Sequence, residues 1–173
     1  MNDVLKCIES RRSVRSFKPD MVPEDVLNRI IEAGTYAATG MGRQSPIIIA
    51  VTNKEMRDNL SKMNAAIMGT QSDPFYGAPV VLVVLADKTA PTHVYDGSLV
   101  MANLMLAAHS EGVASCWIHR AKEEFESEQG KQILKSLGIE GDYEGIGHCI
   151  LGYANASLPD AAARKENYVY YIR

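Results

Sequence analysis

Arg11-Arg12-Ser13-Val14-Arg15 crowds three guanidiniums and a hydroxyl into five residues of a chain whose formal charge is −3. Arginine offers a rigid fork of donors that matches tetrahedral oxyanions, so the cluster suits a phosphate. The plainer alternative is that cations at a helix C-terminus offset its dipole. Thr39-Gly40-Met41-Gly42-Arg43-Gln44-Ser45-Pro46 also admits two readings. Its glycines let backbone approach a flat ligand while Gln44 presents both donor and acceptor, or Gly40 simply ends a helix before a proline-marked loop. Ser115-Cys116-Trp117-Ile118-His119-Arg120 carries the single tryptophan of the chain, placed to pack in a core or to wall a pocket. Arg164-Lys165 is either a surface pair or, where the tail folds back towards Arg11, part of the same cationic site.

Other chemistries find less support. His93, His109, His119 and His148 form neither HExxH nor His-x-His, so no metal site is expected. His109 falls at a helix end, where capping is its expected role, and His148 beside Cys149 is expected to pack within a strand. There is no GxSxG elbow, and no GxGxxG follows a first strand. Cys7, Cys116 and Cys149 are odd in number and far apart, against a disulfide framework or a CxxC pair, so a reduced, cytoplasmic setting is expected. The mild acidity gives no footprint for nucleic acid. No run suits a membrane span or a signal peptide. At 173 residues, 46% hydrophobic, the chain is expected to form one domain over 1–173.

These residues need elements to position them. Val4, Leu5 and Ile8 mark a short first helix ending near the arginines. Pro23-Glu24-Asp25 starts a second helix, with Val26, Leu27, Ile30 and Ile31 as its stripe, ending near Gly40. Buried strands are expected at 46–51, 79–86, 113–118 and 147–154, with a possible fifth at Tyr168 to Ile172. Amphipathic helices are expected at 54–68 and 123–137. Leu99 to Ala108 is helical yet apolar almost all round, so it requires cover on every side, either in a central core or from a second subunit. Helices interleaved with strands, two helices leading, predict an α+β sandwich.

Five collinear segments resemble the FMN-dependent nitroreductase family: RRSVRSF, AATGMGRQSP, PFYGAPVVLVVLAD, DGSLVMANLMLAAHSEGVASCWIHR and GHCILGYA, followed by a basic tail. The resemblance covers nearly the whole chain and points to the compact subgroup. It implies an α/β/α sandwich with a central, mostly antiparallel sheet, in an intertwined homodimer with FMN at the interface. It assigns Arg11 and Ser13 to the FMN phosphate and ribityl chain, with Arg12 beside them. Arg15 matches the basic position near flavin N1 and O2. Thr39, Gly40 and Gln44 match a loop supplied by the partner subunit. Trp117, Ile118 and His119 match the segment along the isoalloxazine. Arg164, with Lys165, matches a C-terminal cation that closes on the phosphate.

The implied activity passes hydride from NADH or NADPH through FMN to a small acceptor such as a nitroaromatic or quinone, with no catalytic side chain. The alternatives are a flavin carrier or sensor with little turnover, and an interaction protein whose arginines cap a helix. The chain departs from the family at Gly42, where many members have Asn, at Ile47, where an aromatic is common, and near Arg120, where Gly is common. The middle basic contact of larger members is not recognisable near Pro74, and their long helical insertion is missing.

Overall fold

The computed structural model describes residues 1–173. Its elements are α1 (Asp3–Ser10), α2 (Glu24–Thr35), a 3₁₀ turn (Gly40–Gly42), β1 (Pro46–Val51), α3 (Lys54–Met68), β2 (Val80–Asp87), α4 (His93–Ser110), β3 (Ala114–Ile118), α5 (Ala121–Glu126), α6 (Glu128–Ser136) and β4 (Tyr143–Gly152). The four strands form one sheet in the order β1-β2-β4-β3, antiparallel throughout. β2 and β4 are the inner strands. From Val80 to Ala86 every β2 residue is fully buried, because both faces of that strand are covered.

One face of the sheet packs on α2 and α4 through Leu27, Ile30, Val100, Met101 and Leu104. The other packs on α3, α5 and α6 through Leu60, Phe125 and Leu134. Burying each such aliphatic or aromatic side chain stabilises the fold by about 1.5–3 kcal/mol before entropy is counted. This is the expected α+β sandwich of helices on both faces.

Three expectations change. α2 ends at Thr35, short of Gly40, where Tyr36 N–H closes it on Ala33 O and Ala37 N–H on Gly34 O, and Ala37 packs back on the core before the 3₁₀ turn. The helix expected over 123–137 begins at Ala121 and breaks at Ser127, whose Oγ donates to Glu124 O (2.6 Å) and accepts from Gly130 N–H (3.1 Å). The corner is so tight that a Cβ on Gly130 would lie 2.2 Å from Glu124 O. Tyr168 to Ile172 forms no strand in this chain's sheet: beyond Ala154 every residue is exposed and the tail leaves the body of the chain.

α1 is the other open element. It buries no residue, and Val4, Leu5 and Ile8 are 67%, 47% and 51% exposed. α1 lies along α4, where Cys7 Sγ contacts Leu106 O at 3.4 Å. The stripe Tyr95, Leu99, Ala102 and Leu106 of α4 faces away from the sheet and is only partly covered. The sequence required cover on every side of α4; one chain supplies it from the sheet, from α2 and in part from α1, and leaves the outward stripe open.

Candidate functional site

The arginine segment leaves α1 and runs beside the outer strand β3. Arg11 is the C-cap of α1, its N–H donating to Cys7 O. Ser13 then forms a parallel bridge with Ser115, and Val14 N–H donates to Ser115 O at 3.0 Å. Val14 and Phe17 point into the core and anchor the segment, which turns Arg15 outward. The two readings of the cluster now separate. Arg12 Nη1 donates to Glu9 O (2.6 Å) and Arg11 O (2.8 Å), which is capping. The Arg11 side chain caps nothing, and its Nη1 is buried without a partner, as is Arg12 Nε. Buried guanidinium N–H groups without acceptors are costly. Neither arginine, nor Arg15, forms an ion pair within the chain. The orphaned donors and the hydroxyl of Ser13 therefore fit a phosphate.

The sequence suggests a capping role for His109, but its side chain instead reaches Ser10 beside this cluster. His109 Nε2 lies 2.7 Å from Ser10 Oγ, which itself donates to Lys6 O. Since Ser10 has one proton, its oxygen accepts from His109 Nε2–H. Burial, and then the charges of Arg11 and Arg12, hold the His109 pKa below its ordinary value.

β3 carries the segment Trp117-Ile118-His119. Trp117 lies over Gly147, where a Cβ would meet its Nε1 at 2.3 Å. Ile118 is buried, and His119 is exposed. Arg120 follows with φ 77 and ψ 9, a left-handed conformation in a residue that has a Cβ. The backbone N–H groups of His119 and Arg120 find no acceptor in the chain. Beneath this turn, Asn64 of α3 donates to His119 O and Glu124 Oε1 and accepts from Arg120 Nε. Glu124 in turn meets His148 Nε2 at 3.1 Å, both side chains being fully buried. His148 is thus packed as expected, with a carboxylate partner the sequence did not reveal. Burial pushes the neighbouring Cys149 thiol up to about 12, so it offers no thiolate.

The third station is the loop from Thr39 to Ser45, which Asp96 ties down. Asp96 Oδ1 accepts from Gly40 N–H (3.0 Å), and Oδ2 accepts from Ser45 Oγ (2.8 Å) and Thr92 Oγ1 (3.1 Å). Burial works to raise the Asp96 pKa, but the Gly40 N–H and the two hydroxyls together hold it below the usual carboxylate value. Gln44 N–H donates to Thr39 Oγ1 at 3.1 Å, and the Gln44 side chain is exposed.

The chain thus brings Arg11, Arg12, Ser13 and Arg15 together with Trp117, Ile118 and His119 along β3. It does not bring Thr39, Gly40 and Gln44 to them. The loop sits at Asp96 near the start of α4 and the arginines at His109 near its end, about 20 Å apart at 1.5 Å per residue. Arg164 and Lys165 lie in the exposed tail. Arg164 donates to Ala162 O, and Lys165 Nζ sits 5.3 Å from the Tyr168 ring, so the expected fold-back does not occur within the chain. No helix is long and apolar enough to cross a membrane.

Comparison with known proteins agrees with this architecture. The fold matches a nitroreductase with bound FMN from Bacteroides fragilis at a TM-score of 0.90 and 28% identity, over 100% of both chains. A nitroreductase with bound FMN from Desulfitobacterium hafniense matches at 0.88 and 29% identity, over 99% of this chain and 100% of the other. In sequence, a protein of Methanothermobacter thermautotrophicus named for NADH dehydrogenase/NAD(P)H nitroreductase activity is 30% identical over 124 residues. That match spans 66% of this chain and 60% of the relative. The profile described as Nitroreductase family matches residues 8–73 and 65–153, nearly the whole of the sheet and its helices. This chain belongs to the nitroreductase family.

Proposed function

We propose that the chain is an FMN-dependent oxidoreductase, a single domain working as a homodimer. The carrying observation is the pair of buried, unpartnered donors on Arg11 and Arg12 beside Ser13, a cradle for a phosphate that the chain itself does not fill. In this reading Arg11, Arg12 and Ser13 hold the FMN phosphate and ribityl chain. Arg15 stands by the pyrimidine edge of the flavin, where a cation favours added negative charge. Trp117, Ile118 and His119 line the ring system. When bound, FMN supplies hydride transfer from NADH or NADPH to a small acceptor, with nitroaromatics and quinones as the acceptor class. The chain's residues bind and orient; none is assigned as acid, base or nucleophile. Three free thiols suit a reducing cytoplasm.

The distribution of the site supports the dimer. Thr39, Gly40 and Gln44 lie at one end of α4 and the arginines at the other. If two copies meet through their α1 and α4 faces about a two-fold axis, the start of one α4 lies against the end of the other. The loop of each copy then reaches the arginines of its partner. The same contact covers Val4, Leu5, Ile8 and Leu99, and an apolar groove of about 430 Å³ lined by Val4, Cys7, Ile8, Leu106 and Ala107. The extended tail carries Arg164 and Lys165 clear of their own body, as a contribution to a second copy's site requires. Its residues from Tyr168 to Ile172 can add to the free edge of a second copy's β1.

An anaerobic absorbance spectrum of the purified protein, before and after NADH and then NADPH, tests the reading. Flavin bands that bleach with either nicotinamide are expected. Bands that persist would reduce the protein to a flavin carrier or sensor. No bands even after incubation with FMN would refute FMN binding. For the shared site, two defective variants, one at Arg11 and one in the loop at Gly40, should regain flavin binding when refolded together, because a mixed dimer contains one intact site.

A further inference from the structure

Beneath the end of β3 lies a buried polar chain that the flavin reading leaves without a role. Asn64 has no exposed surface, yet it makes three hydrogen bonds. Its Nδ2 donates to His119 O at 2.8 Å and to Glu124 Oε1 at 2.5 Å, and its Oδ1 accepts from Arg120 Nε at 2.9 Å. The amide has one workable orientation. Flipped, it would set a carbonyl against a carbonyl and a carboxylate, and an NH₂ against a guanidinium N–H. The second oxygen of Glu124 meets His148 Nε2 at 3.1 Å. Four side chains from α3, α5, β4 and the turn after β3 are therefore linked.

A network serving only the core would end with Asn64, Glu124 and His148. This one continues to a main-chain carbonyl and to the half-buried Arg120, and Arg120 has φ 77, where a Cβ is disfavoured. Such a conformation persists when surrounding contacts over-determine it. Two sets of contacts do so here: Arg120 caps α5, its carbonyl accepting from Glu124 N–H at 3.1 Å, and Asn64 holds both the Arg120 side chain and the carbonyl before it. What the turn presents are the N–H groups of His119 and Arg120, which bond nothing in the chain.

We propose that Asn64 is a positioning residue of the cofactor site. Held by Glu124 and His148, it braces the His119–Arg120 turn so that these two N–H groups are set before FMN arrives. Arginine takes a position that glycine would occupy without strain, and the brace compensates for its Cβ. This inference rests on the FMN reading.

The test compares Asn64→Ala, Arg120→Ala and Arg120→Gly with the wild-type chain. It uses the FMN dissociation constant from fluorescence titration and amide exchange of residues 118–121 in the flavin-free protein. Asn64→Ala and Arg120→Ala should each speed exchange at the turn and weaken FMN about fivefold or more, the scale of one strained backbone position. Arg120→Gly should stay within about twofold of wild type, since glycine holds a positive φ without the brace. A lowered melting temperature in Asn64→Ala, with exchange at the turn and FMN affinity both unchanged, would make the network merely structural and overturn the proposal. Arg120→Gly weakening FMN as much as Arg120→Ala would also overturn it, by showing that the guanidinium rather than the turn geometry is needed. Arg120→Ala cuts the brace at its accessible end and so carries the test if Asn64→Ala does not fold. A wild-type chain that takes up no FMN fails the functional reading itself, an outcome seen before any variant is compared.

Discussion

Replacing Asp96 separates its geometric role from its charge. The carboxylate is 3% exposed and accepts three hydrogen bonds that join the start of α4 to the loop from Thr39 to Ser45. In Asp96→Ala all three donors lose their acceptor, and the Gly40 N–H cannot turn elsewhere. A buried donor left unsatisfied costs roughly 1–3 kcal/mol, while water reaching the loop recovers part of that, so the expected loss is about 3 kcal/mol. Asp96→Asn keeps an oxygen for Gly40 N–H, and the Ser45 and Thr92 hydroxyls can rotate to accept from its NH₂. Only the charge is lost, and the expected cost is about 1 kcal/mol.

The pH dependence has a definite sign. The folded pKa of Asp96 lies below its ordinary value of 3.8. The resulting stability is complete above that value and is lost as pH falls through the lower, folded pKa. Asp96→Asn should remove this acid-limb contribution. Urea unfolding followed by circular dichroism, at one fixed protein concentration and at pH 7 and pH 3, measures both effects. Equal stability of the Ala and Asn variants at pH 7 would show that the hydrogen-bond geometry does not secure the loop.

Arg11→Met should leave the flavin-free chain as stable as wild type or about 1 kcal/mol more stable, because it removes a buried donor without a partner. The same variant should bind FMN at least about tenfold more weakly, the loss of one charge-assisted contact; thermal melts with and without FMN read both outcomes. Glu124→Leu should cost about 2–4 kcal/mol by leaving His148 Nε2 and the Asn64 Nδ2–H buried without this partner. Glu124→Leu with His148→Leu should recover at least half of that loss in the same unfolding assay, and no recovery would dissociate the pair. Ending the chain at Asn155 removes only exposed residues, so circular dichroism should be unchanged, whereas light scattering should show a weaker dimer.

The sequence was most legible where signals are local. α3 spans Lys54–Met68 as its pattern predicts because Asn53 caps its start, accepting from Met56 N–H, and Gly69 closes it in the left-handed region. The arginine cluster stood out because three cations are out of place in an acidic chain. Local signals also misled. Gly40 resembled a helix terminator but belongs to a separate 3₁₀ turn, and Ser127 breaks an amphipathic run through a cap that uses its own side chain. Asp96 and Asn64 escaped notice, and His109 looked like a mere cap, for another reason. Asp96 lies 56 residues from Gly40, Asn64 lies 60 from Glu124, and His109 lies 99 from Ser10. Nothing in residue spacing encodes such partnerships; they exist only once the sheet has brought its helices together.

What the isolated chain leaves unmet falls largely on one side of the molecule. The orphaned donors of Arg11 and Arg12, the uncovered apolar residues of α1, and the outward stripe of α4 are contiguous through Cys7–Leu106 and Ser10–His109. An eight-residue helix with no buried side chain has little stability of its own in water. Its retention beside α4 therefore depends on what covers it. A ligand that binds only the folded state adds RT ln(1 + [L]/Kd), about 2.7 kcal/mol at a hundredfold excess over Kd, and a second copy acts by the same law. FMN binding and dimer formation should thus reinforce each other, since each orders α1 for the other. The melting temperature should rise with protein concentration in the flavin-free state, and FMN should shift the monomer–dimer balance towards the dimer. If FMN instead bound a dilute monomer as tightly as the dimer, the Thr39–Gln44 loop could not belong to the partner's site, and the two-fold arrangement about α4 would have to be abandoned.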